Sequence, residues 1–109
     1  MATLQHNITT IVTTELLAKG DNVSNAKAIT FCNLDASNAA RVDLFLYDVV
    51  NNKSYYILKN YNIAVRTTLS LEPKDNIVFD NSLNGFSLRT QIDNGSTTAV
   101  PVDIIITRW

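Results

Sequence analysis

Little in this chain of 109 residues invites chemistry: it holds one cysteine, one histidine, one tryptophan, three glycines and two prolines. A lone Cys32 excludes an intramolecular disulfide, and Cys32 with a lone His6 cannot form a zinc site unless carboxylates join them. Charged residues make up only 17% of the chain and sum to −1, so there is no basic footprint for nucleic acid or for an anionic membrane. No apolar run approaches the ~20 residues that span a bilayer. Met1-Ala2-Thr3-Leu4-Gln5-His6 lacks a basic stretch followed by an apolar one, which predicts synthesis in the cytoplasm without the usual export. On that expectation the N-x-[ST] sequons at Asn7, Asn22, Asn52 and Asn94 are by-products of an Asn-, Ser- and Thr-rich composition.

What is present is β pattern. The length predicts one domain over 1–109, large enough to bury roughly two-thirds of its unfolded surface. The stretch Arg41 to Asn60 reads as a long hairpin. Val42, Leu44 and Leu46 alternate with Arg41, Asp43, Phe45 and Tyr47, and period two sends neighbours to opposite faces of a sheet. A two-residue Asn51-Asn52 turn would place Leu46 opposite Ile57, Phe45 opposite Leu58 and Tyr47 opposite Tyr56.

Asn7 to Leu17 is rich in β-branched residues but alternates poorly, which suits an edge or exchanged strand. Further strands are expected over Ala26–Asn33, Ala64–Leu71 (Val65, Leu69 and Leu71 on one face), Ile77–Asp80, Phe86–Ile92 and Ala99–Trp109. Gly20-Asp21-Asn22, Leu34–Asn38, Glu72–Asn76, Asn81–Gly85 and Asp93-Asn94-Gly95-Ser96 are turn signals, the last the strongest. The sum is an all-β chain: a single antiparallel β-sandwich of about eight strands, Ig-like or jelly-roll. Residues 1–17 would be an arm or edge strand.

Catalytic constellations are missing. His6 sits near a terminus with no nucleophile-elbow pattern to serve. Cys32 lies in a predicted strand, where it reads as a small buried hydrophobe with no neighbouring cation to activate it. Asp75, Asn76, Asp80 and Asn81 cluster, and Asp93-Asn94 lies in another loop; these are calcium-type oxygen ligands, but Asx residues populate turns for local reasons and no EF-hand spacing exists. The expectation is no catalytic residue, no metal and no cofactor.

The rings Phe45, Tyr47, Tyr55, Tyr56 and Tyr61 remain. They read as core, as a protein interface, or as a sugar-stacking platform. A single-strand nucleic-acid groove would need more cations than Arg41, Lys53, Lys59 and Arg66.

The blocks Val42–Asp48, Tyr55–Asn60, Thr67–Leu71, Val78–Ser82 and Val102–Ile106, in that order, resemble small β-sandwich virion proteins of tailed bacteriophages, especially those of aquatic hosts such as cyanobacteria. The resemblance covers roughly Ala26 to Thr107. It implies a non-enzymatic structural component of the particle. Such a component would be a capsid decoration or cement protein, or alternatively a neck or tail accessory; a carbohydrate-binding module in host recognition is the rival reading. The implied partners are the major capsid protein or neck and tail proteins, with self-association, no nucleic acid and no membrane, in the virion after synthesis in the host cytoplasm. On this reading Phe45, Tyr47 and Tyr56 of the hairpin's outer face form one contact, and Ile8 and Ile11 form another on an arm that orders on docking.

Overall fold

Alternating burial builds the strands of the computed structural model, which describes residues 3–18, 20, 26–75, 77–79 and 85–108. In β8 (Val102–Arg108), Val102, Ile104 and Ile106 are fully covered while Ile105 between them is exposed. The other strands are β1 (Thr3–Ile8), β2 (Thr14–Leu17), β3 (Ala26–Asn33), β4 (Ala40–Asp48), β5 (Lys53–Ile63), β6 (Thr68–Leu71) and β7 (Ser87–Asp93), with one 3₁₀ turn at Pro73–Asp75. They form two four-stranded sheets, β1-β8-β3-β6 and β2-β7-β4-β5, with every pairing antiparallel. This order is that of a double-sheet jelly roll, which settles the choice left open between jelly-roll and Ig-like connection.

The two inner faces meet in one core. The first sheet contributes Ile8, Ile29, Phe31, Leu71 and the β8 trio; the second contributes Val42, Leu44, Leu88 and Ile92. Thr90 is buried among them and stays satisfied by donating from Oγ1 to the Asp43 carbonyl at 2.8 Å.

Four sequence expectations are corrected. First, Asn7–Leu17 is not one strand: β1 and β2 lie in different sheets, and Thr9–Thr13 carries the chain across between them. The poor alternation had this cause, since Ile8 points into one sheet's inner face while Leu16 and Leu17 are both buried beside a register shift in the other. Second, Ile77–Phe79 belongs to none of the strands, although Ile77 and Phe79 are both buried. Third, β6 begins at Thr68. Val65 and Arg66 form a turn, with Arg66 at a φ of 53°, so Val65 faces solvent instead of joining Leu69 and Leu71.

Fourth, the hairpin turn spans Val49 to Asn52 rather than Asn51-Asn52 alone. Asp48 Oδ1 accepts the N–H groups of Val50 and Asn51 at 3.1 and 3.3 Å, and Asn52 closes the turn at a φ of 51°. Leu46 therefore faces Tyr55, Phe45 faces Tyr56 and Tyr47 faces Ser54. The shift is two residues, so Phe45 and Tyr47 keep the expected face. Lower down, Asn60 adopts a φ of 52° and donates its N–H to Asp43 Oδ1 at 2.7 Å, marking a bulge that re-registers β5 so that Val42 meets Tyr61. The cluster members Asn76, Asp80 and Asn81, the turn residues Asp21 and Asn22, and Trp109 lie outside the described residues.

Residues 3–17 are thus sandwich, not appendage. Deleting 1–17 removes an edge strand from each sheet and strips Ile8, Leu16 and Leu17 from the core. Each such loss costs about 2–5 kcal/mol, against a typical total of ~5–15 kcal/mol. The truncated chain is expected to lose its cooperative thermal transition; a sharp melt near that of the full chain would show that β1 and β2 are dispensable.

Candidate functional site

Two surfaces merit comparison: the outer face of the second sheet and the loop end of the sandwich. The first carries the rings singled out by the sequence. Phe45 and Tyr47 on β4, Tyr56 on β5 and Arg89 on β7 share this face, because Phe45 lies opposite both Tyr56 and Arg89. Phe45 is only 7% exposed although it lies outside the core cluster. Tyr56 packs against it with ring centroids 5.2 Å apart.

Cations lie over three of the tyrosines. Arg89 sits over Tyr47 at 4.3 Å, Lys59 over Tyr56 at 4.5 Å and Lys53 over Tyr55 at 5.2 Å. Arg89 is also paired with Glu15 at 3.4 Å, and Lys59 with Asp43 at 3.5 Å. The Tyr47 hydroxyl is bonded to Asn52 Oδ1. At the far end Arg41 grips Asp93 with two parallel bonds, 3.0 and 3.1 Å, directly across the strands. This face is already satisfied by the chain's own cations, and a partner or sugar that stacked on Tyr47 or Tyr56 would have to displace them.

Ile8 and Ile11 occupy different settings. Ile8 is a core residue, and Ile11 is half-buried in the β1–β2 crossing, where its carbonyl accepts the Gln91 side-chain amide at 3.1 Å. Ile8 has no surface left for a partner.

The loop end is invisible to local pattern. Antiparallel pairing throughout puts the β1–β2, β3–β4, β5–β6 and β7–β8 connections at one end of the sandwich. These loops (9–13, 34–39, 64–67 and 94–101) contain two charged residues, Asp35 and Arg66. Three of the four loops expose an aliphatic side chain: Val12 is 66%, Leu34 43% and Val65 39% accessible. The opposite end also exposes Val49, Val50 and Val78, but among Glu72, Lys74 and Asp75.

Asn33, with Leu34, ties three of the four loops at the charge-poor end together. This buried amide donates from Nδ2 to the carbonyls of Asn38, Ile63 and Ala64 at 3.0, 3.1 and 3.3 Å, and its Oδ1 accepts the Asp35 N–H at 2.9 Å. Its backbone N–H reaches the Thr67 carbonyl, and the Leu34 N–H reaches that of Pro101, both at 3.0 Å. Three loops are therefore tied through two consecutive residues. Asp35 completes the turn by accepting the N–H groups of Ser37 and Asn38, which hold its carboxyl below the usual carboxylate range.

No catalytic arrangement gathers among the described residues. One shallow cleft is lined by Lys27, Ala28, Glu72, Pro73, Lys74 and Thr107, another by Gln5, His6, Asn7, Asp103, Ile104 and Ile105. In the second, the Asn7 amide occupies Asp103 at 2.7 Å, and His6 sits on the inner row of β1 opposite Ile104. Cys32 is half-buried on the outer row of β3 between Asp103 and Thr68, more accessible than the buried position expected of it. Among the described residues no group of three or more His, Cys, Asp or Glu side chains is placed to hold a metal ion. Asp75 accepts the Glu72 N–H at 2.8 Å, and Asn94 Oδ1 the Ser96 N–H at 3.0 Å, both local turn bonds. No helix among the described residues is long and apolar enough to cross a membrane.

No family model and no curated protein matches the chain. Among solved structures it is similar to the Yersinia pseudotuberculosis-derived mitogen, with a TM-score of 0.50 and 14% identity over 99% of this chain and 85% of that one. At that identity the likeness bears on the fold alone.

The Arg41–Asp93 pair gives a test of the outer face. Burial raises the Asp93 pKa, but the Arg41 hydrogen bond, the Gly95 N–H and the Arg41 charge outweigh it, so the carboxyl ends below its ordinary value. A depressed folded-state pKa stabilises above the unfolded value of about 3.9 and is lost as pH falls through the folded one. Asp93→Asn is expected to lower unfolding free energy at neutral pH by ~1–2 kcal/mol. In urea titrations the gap to the parent should close as pH drops below about 4. A gap that stays constant with pH would refute the assignment.

Proposed function

We propose that this chain is a non-enzymatic structural component of a tailed-phage particle, most simply a capsid decoration or cement protein, that docks through its charge-poor loop end. The observation that carries the docking surface is the exposure of Val12, Leu34 and Val65 at one end whose loops hold only Asp35 and Arg66 among charged residues. Interface cores are depleted in charge, and exposed apolar groups on one surface are the ordinary material of protein contacts. The end is preorganised by Asn33, so little ordering entropy opposes docking.

Size agrees. β5 alone runs 11 residues, about 36 Å at ~3.3 Å per residue, which aligns the 40 Å long axis with the strands and leaves an end of 31 × 21 Å. That area is comparable to the ~800 Å² that each partner buries in a standard interface. A lattice repeats the contact, so each copy needs only modest affinity. Assignment to a phage particle rests on the sequence resemblance, and the jelly roll, which also serves lectin domains and cupins, is compatible with it without deciding it.

Leu34→Lys combined with Val65→Lys should leave the fold intact, since exposed sites typically shift stability by no more than ~0.5 kcal/mol. The double variant is expected to fail to co-sediment with particles that lack the protein. Tyr47→Ala is expected to co-sediment normally. The reverse pattern would move the contact to the outer face of the second sheet. Copy number per particle then separates the roles: a number near the capsid subunit count means decoration, and a ring-sized number means neck or tail.

A further inference from the structure

The β7–β8 connection holds a chemistry independent of docking. Asn94 is followed by Gly95, which lies at a φ of 91° on the surface, with no atom within 4 Å of where a Cβ would stand. The Ser96 N–H donates to Asn94 Oδ1 at 3.0 Å, so the oxygen that would gain charge on attack at Cγ already has a donor. The Gly95 N–H donates to Asp93 Oδ1 at 2.8 Å, so the proton that must leave the nitrogen already has an acceptor. Arg41 fixes that carboxylate, and the Asn94 N–H bond to the Thr98 carbonyl at 3.0 Å closes the loop.

We propose that Asn94 is a self-modifying site, at which the Gly95 backbone nitrogen attacks the Asn94 side-chain carbonyl carbon and the chain passes through a succinimide to isoaspartate and aspartate. The bond from the Gly95 nitrogen to Cγ forms, and the bond from Cγ to the side-chain nitrogen breaks. The proton released by Gly95 passes by way of Asp93 or water to the departing group, which leaves as ammonia. Water then opens the imide. Attack at the main-chain carbonyl gives isoaspartate, and attack at Cγ gives aspartate. No oxidant, metal or cofactor takes part. Either product places a new carboxylate on the end of the sandwich whose loops otherwise carry Asp35 and Arg66 alone.

The sequence supplies an internal comparison in Asn84–Gly85, the same dipeptide with its glycine buried. The folded protein is held at neutral pH and sampled over time by peptide mapping in a mass spectrometer, with isoaspartate scored by isoaspartyl methyltransferase labelling. Conversion at Asn94 is expected to lead that at Asn84, with isoaspartate the larger product. Gly95→Ala, for which there is space but a less favourable φ, should slow it several-fold. An Asn94→Asp chain serves as the standard for the aspartate product and reports by circular dichroism that the fold survives the added charge. The proposal is overturned if Asn94 stays an amide while Asn84 converts, or if folded Gly95→Ala reacts at the parent rate. Neither result depends on whether the loop end binds a particle.

Discussion

The insertion of β8 between β1 and β3 is the constraint on which the rest depends. The last strand of the chain pairs with the first over six residues, Thr3–Thr107 to Ile8–Val102, and with the third from Ala26–Arg108 to Asn33–Val102. Without β8 the first sheet has no centre, and Ile104 and Ile106 no longer face Phe31 and Ile29 across a common inner surface. The same insertion forces odd-numbered connections to one end and even-numbered ones to the other. Joining the two chain ends also means that most contacts are non-local, the regime in which folding takes milliseconds to seconds.

Given that topology, one amide decides the character of the loop end. Turns expose carbonyls that need donors. Asn33 supplies three donor contacts from a single buried side chain, with no charge involved. A lysine or arginine doing the same work would have brought a charge to be desolvated or paired. The carbonyls of Ile63 and Ala64 are held from beneath, so the next residue, Val65, is turned outward. Leu34 is likewise fixed by its own N–H to Pro101. These aliphatic groups are outside because turn geometry overrides their preference for burial.

How much of this was legible in the sequence follows from the range of each signal. β3, β4, β7 and β8 were readable because alternation is local and both inner faces are buried. The split of Asn7–Leu17 was not, since a corner between two sheets is defined by what each half pairs with. The hairpin turn was missed by two residues because Asp48, not the Asn51-Asn52 dipeptide, organises it. Phe45, Tyr47 and Tyr56 were placed together on the outer face, where the register puts them. Their covering by Arg89 and Lys59 depends on β7 lying beside β4 and on a bulge at Asp43, and neither is written in the spacing of β4 and β5. The loop end was wholly hidden: Val12, Leu34 and Val65 come to the same end only after the strands are ordered.

The distribution of charge explains why the loop end, rather than the face that carries the rings, is the surface proposed for docking. The chain has nine basic and ten acidic side chains. Arg41, Lys59 and Arg89 are engaged with Asp93, Asp43 and Glu15 across one sheet face, and two of these cations also cover its rings. That concentration makes a face rich in aromatic residues behave as an ordinary solvated surface, since Tyr47 and Tyr56 are each met by a cation and each of those two cations by an acid. It also leaves the connections at one end with almost nothing to hydrate except backbone, hydroxyls and amides. Desolvating such groups costs less than desolvating ions. An end of modest apolarity, rigid and poor in charge, therefore loses less on docking than the face where the large rings lie.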